Sequence, residues 1–227
     1  VLPGLPRIKI CCISSGAEAR AAIEQGASAV GLVSWMPSGP GVIPDDRIAE
    51  IAATIPPGVD SFLLTCAQDV PTILRQQRRC GTSVVQLCDR LLRGTYAELR
   101  AGMPGVRLVQ VIHVTGPESV DEALEVAPKV DALLLDSGRP SLPVKELGGT
   151  GRTHDWRLSR EIRDRCGRPI YLAGGLRPEN VAEAARTVRP FGLDLCTGVR
   201  TDGRLDTDKL AAFVAAVREA VTDPPAS

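Results

Sequence analysis

RPIYLAGGLRPENVAEAARTVRPFGLDLCTGVRTDG, residues Arg168 to Gly203, is the stretch whose reading decides the fold. Pro169–Ala173 is a short apolar run, and Gly174-Gly175 breaks it. Pro178 then opens a helix, since proline suits a first helical position. Val181, Ala184, Ala185 and Val188 follow at helical spacing. Leu193–Cys196 reads as a second short strand, ended by Gly198. Two glycine turns at the ends of neighbouring parallel strands place bare backbone N–H groups along one rim. Beside a helix N-terminus such groups suit a phosphate. In an eight-stranded α/β barrel the last two strand-to-helix loops commonly hold that phosphate. A single glycine pair reads as well as a tight turn; two pairs, one strand apart, favour the phosphate.

Outward from this stretch, strand-like and helix-like segments alternate along the chain. Strands are expected at Arg7–Ile13, Ala29–Ser34, Ser61–Thr65, Ser83–Leu87, Arg107–Val114 and Asp131–Asp136, ahead of the two already quoted. Helices are expected from Ser14 or Ser15 to Gln25, from Asp45 to Ile55, and over Val70–Arg79, Thr95–Ala101, Pro117–Ala127, Trp156–Cys166 and Asp206–Val221. Met36–Pro44 and Ser137–His154 are loops, the second containing Gly148-Gly149-Thr150-Gly151. The strands are continuous apolar runs, as expected when both faces are covered. Crossovers of this kind are right-handed and force parallel pairing. Eight strand–helix pairs therefore predict an α/β, single-domain (β/α)8 TIM barrel over residues 1–227, with 222–227 a frayed tail. A doubly wound open sheet calls for G-x-G-x-x-G after its first strand; Cys12-Ile13-Ser14-Ser15-Gly16 stands there instead.

Composition narrows the function. Lys plus Arg and Asp plus Glu are 27 each, so the formal net charge of zero offers nothing to nucleic acid or an acidic surface. Aromatic residues are 3%, too sparse for a base-stacking platform. With two histidines and no C-x-x-C pair, no metal site is expected. No apolar run approaches the roughly 20 residues of a membrane span. Seven cysteines, several inside apolar runs, point to reduced thiols in a cytoplasmic setting.

Polar residues at the C-terminal ends of barrel strands are the candidates for chemistry. Asp136 follows Ala132-Leu133-Leu134-Leu135. It either caps the next turn or faces the cavity, where burial raises its pKa and lets it act as an acid. Cys11 is either core filler or a base beside a bound sugar phosphate.

Taken in order, several segments resemble one family. Lys9-Ile10-Cys11-Cys12-Ile13 is similar to the K-I-C-G-I opening of phosphoribosylanthranilate isomerases. The likeness continues through Gly26-Ala27-x-Ala29-x-Gly31, Val85-Gln86-Leu87 and Leu134-Leu135-Asp136. It runs on through Gly148-Gly149-Thr150-Gly151-x-Thr153-x-Asp155-Trp156, Leu172-Ala173-Gly174-Gly175-Leu176-x-Pro178-Glu179-Asn180-Val181 and Gly192-x-Asp194-x-x-x-Gly198-Val199. The resemblance implies an Amadori rearrangement of N-(5′-phosphoribosyl)anthranilate in tryptophan synthesis, without a cofactor. It implies Cys11 as base and Asp136 as acid. It places the phosphate at Gly174, Gly175, Cys196, Thr197 and Gly198, and a substrate loop at Gly149, Thr150 and Gly151. The partner implied is a small phosphorylated substrate, in a monomer or a homodimer.

The chain departs from the family pattern at the rim. Cys12 replaces a glycine, Ser38-Gly39-Pro40-Gly41 lacks the arginine that meets the anthranilate carboxylate, Cys88-Asp89 replaces His-Gly, and Arg200 replaces a glutamate. Arg139, Arg152 and Arg200 are alternative carboxylate clamps, and Asp89 with Arg200 is a conceivable pair. These changes keep open a divergent paralogue that acts on, or only binds, another phosphorylated sugar or amino-sugar.

Overall fold

Eight strands, each followed by a helix, close on themselves in the computed structural model, which describes residues 5–222. In chain order these are β1 (Arg7–Ile10), α1 (Gly16–Glu24), β2 (Ala29–Val33), α2 (Asp45–Ala52), β3 (Asp60–Thr65), α3 (Val70–Cys80), β4 (Val84–Leu87) and α4 (Tyr96–Gly102). Then come β5 (Arg107–His113), α5 (Glu118–Val126), β6 (Ala132–Asp136), α6 (Trp156–Arg165), β7 (Ile170–Leu172), α7 (Val181–Val188) and β8 (Gly192–Leu195). A hairpin of β9 (Arg200–Thr201) and β10 (Arg204–Leu205) precedes α8 (Thr207–Thr222). Every barrel pairing is parallel, and β8 returns to β1 with Lys9 opposite Asp194.

Alternation along each strand produces two cores. Ile8, Ile10, Leu133, Leu135, Ile170 and Leu172 point outward, where the helices cover them. Phe213 of α8 is fully buried in that outer layer, where burying one such side chain stabilises by roughly 1.5–3 kcal/mol. Cys11, Phe62, Val84, Val109, Leu134 and Tyr171 point into the barrel. Local signals start the helices as expected: Ser15 accepts from the Glu18 amide, and Thr95 with Glu98 forms a reciprocal cap.

Several elements differ from the sequence reading. Strand β1 stops at Ile10, because Cys12 takes a left-handed conformation with φ 63°. The Cys11 amide still donates to Leu195 O at 2.8 Å, so the ladder runs one residue further than the strand. Helix α7 begins at Val181, not Pro178. Asn180 Oδ1 accepts from the Arg177 amide and Nδ2 donates to Gly175 O, both at 2.9 Å, which holds Pro178–Asn180 as a turn. The β9–β10 hairpin was not expected from the residue pattern. Of the tail anticipated at 222–227, Thr222 ends α8 and the remainder lies outside the described residues. Among the described residues, no helix is long and apolar enough to cross a membrane.

Candidate active site

The C-terminal ends of the strands open into a cleft. Cys11 and Asp136 both line it, the first just after β1 and the second at the end of β6. Room for the thiol comes from Gly31 on β2: a Cβ there would fall 2.9 Å from Cys11 Sγ and 3.3 Å from Lys9 Nζ. Room for the carboxyl group comes from two loop glycines. A Cβ on Gly148 would fall 3.1 Å from Asp136 Oδ2, and one on Gly174 3.2 Å from Oδ1. Asp136 is buried, and this desolvation raises its pKa from the ordinary aspartate value. Nearby His113 and the Ser137 amide, which donates to Oδ1 at 2.8 Å, pull the other way without reversing the shift.

Below these two groups sits a buried ion pair. Lys9 Nζ reaches Asp194 Oδ2 at 2.8 Å and lies 5.0 Å from the centroid of the Phe62 ring. Burial works against the ammonium, but Asp194 outweighs it and the Lys9 pKa is raised. Among the described residues, Asp194 Oδ1 and Gln86 Oε1 are buried acceptors without a hydrogen-bond partner, and both residues line the cleft. Residue typing alone passed over them, although their inward register on β8 and β4 was a usable signal.

One end of the cleft is built of tight turns. Gly174, Gly175, Gly149 and Gly151 all have positive φ and line it, together with Thr150, Cys196 and Thr197. A Cβ on Gly175 would fall 2.7 Å from the Arg152 carbonyl carbon, so the β7 turn packs directly on the backbone of the β6–α6 loop. Ser137 Oγ donates to Arg152 O at 2.6 Å and meets Thr150 Oγ1 at 2.9 Å, tying that loop to the end of β6. Gly198 does not line the cleft. A Cβ there would fall 2.0 Å from Leu176 O, so its role is close backbone approach beneath Thr197.

Comparison with known proteins agrees with this geometry. The family model described as N-(5′-phosphoribosyl)anthranilate isomerase matches residues 8–216. The chain belongs to that family. A relative from Haloferax volcanii, named N-(5′-phosphoribosyl)anthranilate isomerase, is 37% identical over 218 residues, with 95% of each chain covered. Another of that name, from Methanocella arvoryzae, is 33% identical and covers 94% of this chain and 99% of its own. The Thermotoga maritima phosphoribosyl anthranilate isomerase superposes with a TM-score of 0.77 at 29% identity, covering 94% of this chain and 99% of that one. A family structure holding reduced 1-(o-carboxyphenylamino)-1-deoxyribulose 5-phosphate superposes with a TM-score of 0.75 at 27% identity, with the same coverage.

Within the isomerase family this chain carries its departures as internal pairs. Asp89 does not meet Arg200; Lys145, from the β6–α6 loop, holds it at 2.5 Å. Arg200 instead binds Glu18 at 2.7 Å, and Arg152 binds Glu146. Arg139 is exposed and outside the cleft lining. None of the three arginines expected as a carboxylate clamp thus faces the cleft. In the β2–α2 loop, Pro40 packs on Gly149: a Cβ on that glycine would fall 2.6 Å from Pro40 Cδ. Cys12 Sγ lies 2.6 Å from Cys196 Sγ. That contact and Arg200 lower the Cys196 pKa, while Cys12 is raised by its hydrogen bonds to Cys11 and Cys196 and by burial. Among the described residues, no group of His, Cys, Asp or Glu is arranged to hold a metal ion.

Proposed function

We propose that this protein isomerises N-(5′-phosphoribosyl)anthranilate to its aminoketose, a step of tryptophan biosynthesis, with Asp136 as general acid and Cys11 as general base. One observation carries the reading: a thiol and a buried carboxyl group line one cleft whose end is made of glycine turns after β6 and β7 and the Cys196-Thr197 segment after β8.

The phosphate is held at Gly174, Gly175, Cys196 and Thr197, with Gly149, Thr150 and Gly151 as the loop against the substrate and Gly198 shaping the turn behind it. Asp136, whose pKa burial raises, gives its proton to the furanose ring oxygen as the C1–O bond opens to a Schiff base. Cys11 then removes the C2 proton, forming an enolamine that tautomerises to the ketone. Gln86 Oε1 and Asp194 Oδ1 are acceptors suited to sugar hydroxyls. The phosphate sits away from the bonds that change, so its binding energy serves to orient the sugar between acid and base. The free thiols fit a cytoplasmic setting.

Turnover of phosphoribosylanthranilate by the wild type, with Cys11→Ser and Asp136→Asn beside it, tests the roles. Each variant should lose roughly 10²–10⁴-fold in kcat. Undiminished activity in both would remove the assignment.

A further inference from the structure

Cys12 is one of three described non-glycine residues with positive φ, and the one of them that lines the cleft. A side chain in this conformation crowds its own backbone. It is hemmed in as well: a Cβ on Gly41 would fall 2.4 Å from Cys12 Cβ. The amides on either side are fixed by the barrel, Cys11 N–H donating to Leu195 O at 2.8 Å and Ile13 N–H to Gly31 O at 3.0 Å. The carbonyls of Cys11 and Cys12 turn outward to a different partner.

That partner is Arg200. Its Nη2 donates to Cys11 O at 3.1 Å and to Cys12 O at 2.7 Å. Its Nη1 donates to Glu18 Oε1 at 2.7 Å and to Gly203 O at 3.0 Å. Glu18 is itself anchored, accepting from the Leu205 amide at 3.0 Å and from the Ser14 amide at 2.8 Å. The Arg200 side chain is 7% exposed. One planar guanidinium thus joins α1 and the β9–β10 hairpin to the two peptide groups that set where the Cys11 thiol points. A lysine, with a single ammonium point, has no fork to span both carbonyls and the carboxylate.

We infer that Arg200 is a positioning residue of the isomerase: it clamps the left-handed Cys11-Cys12 turn and thereby aims the Cys11 thiol into the cleft. The inference rests on the assignment of Cys11 as base. It further requires that Arg200 and Cys12 act together, because a glycine at position 12 adopts this backbone without help.

The experiment compares Arg200→Met in the wild-type and Cys12→Gly backgrounds, with Arg200→Lys as the second variant should the methionine protein not fold. Arg200→Met should lower kcat about tenfold and leave KM within about twofold, since Arg200 itself does not line the cleft. In the Cys12→Gly background the loss should shrink below about threefold, the signature of coupled residues. Arg200→Lys should fall with the methionine variant. A second readout needs no substrate: iodoacetamide labelling of Cys11, located by fragmentation of the peptide. Labelling should quicken about tenfold in Arg200→Met as the turn opens. Equal kcat losses in both backgrounds, or a lowered Tm with kcat and labelling unchanged, would overturn the inference. Faster labelling in a protein that turns over no phosphoribosylanthranilate would support the clamp and count against the assigned reaction.

Discussion

At residue scale, the proposed acid is made by its surroundings. Asp136 is an ordinary carboxyl group until β6 carries it into the barrel mouth, where burial raises its pKa. A raised folded pKa means that the native state holds a proton the unfolded chain has released. Its favourable contribution is complete below the unfolded pKa and is lost as pH rises through the folded one. Wild type should therefore lose stability across that acidic window relative to Asp136→Asn, as denaturant midpoints at successive pH values will show; parallel curves would refute it. Gly31 is the matching device for the proposed base. Gly31→Ala puts a methyl group 2.9 Å from Cys11 Sγ and 3.1 Å from Cys11 Cα. Overpacking of this kind costs about 1–3 kcal/mol. It should depress kcat by displacing the thiol, with inhibitor affinity at the phosphate end nearly unchanged, as steady-state kinetics with inorganic phosphate as inhibitor will report.

At the scale of elements, the seam between β1 and β8 does more than close the sheet. Its register sets Lys9 opposite Asp194 and delivers both into the interior. Lys9→Met would leave a buried carboxylate without its cation, a change that costs about 3–5 kcal/mol. Lys9→Met/Asp194→Leu should recover most of that stability but not the turnover, because Asp194 also faces the cleft. Urea unfolding of the two variants decides this: an equally unstable double variant would show that the pair is not what the single substitution breaks. The same seam brings Cys11, Cys12 and Cys196 together, although 184 positions separate the last two.

Across the whole molecule, basic groups around the mouth are matched by the protein's own acids. Lys145 is held by Asp89, Arg152 by Glu146 and Arg200 by Glu18. In the proposed mode of binding the phosphate is met chiefly by backbone turns, and an aryl carboxylate finds no guanidinium among the cleft-lining residues. Removing the carboxylate from the reduced product analogue should weaken binding less than about tenfold, and removing its phosphate more than about a hundredfold, by calorimetry, since a desolvated charge-assisted contact is worth about 1.5–3 kcal/mol. A larger carboxylate effect would require one of these ion pairs to open when ligand binds.

Much of this was legible in the amino-acid order alone. Apolar runs alternating with helical spacing, stopped by glycine and proline, dictated eight strand–helix units, because backbone preference and face burial act over a few residues. The glycine turns and Asp136 were visible for the same reason, each at the end of a strand whose limits are local; Cys11, read inside an expected strand Arg7–Ile13, was picked out by the family resemblance. Tertiary structure alone decided that Arg200 turns from Asp89 to Glu18, that Gly31 makes room for the thiol, and that helix α7 waits until Val181 for an asparagine-held turn. Those outcomes depend on strand register and loop contacts between residues far apart in the chain, where spacing carries no information about which side chains meet.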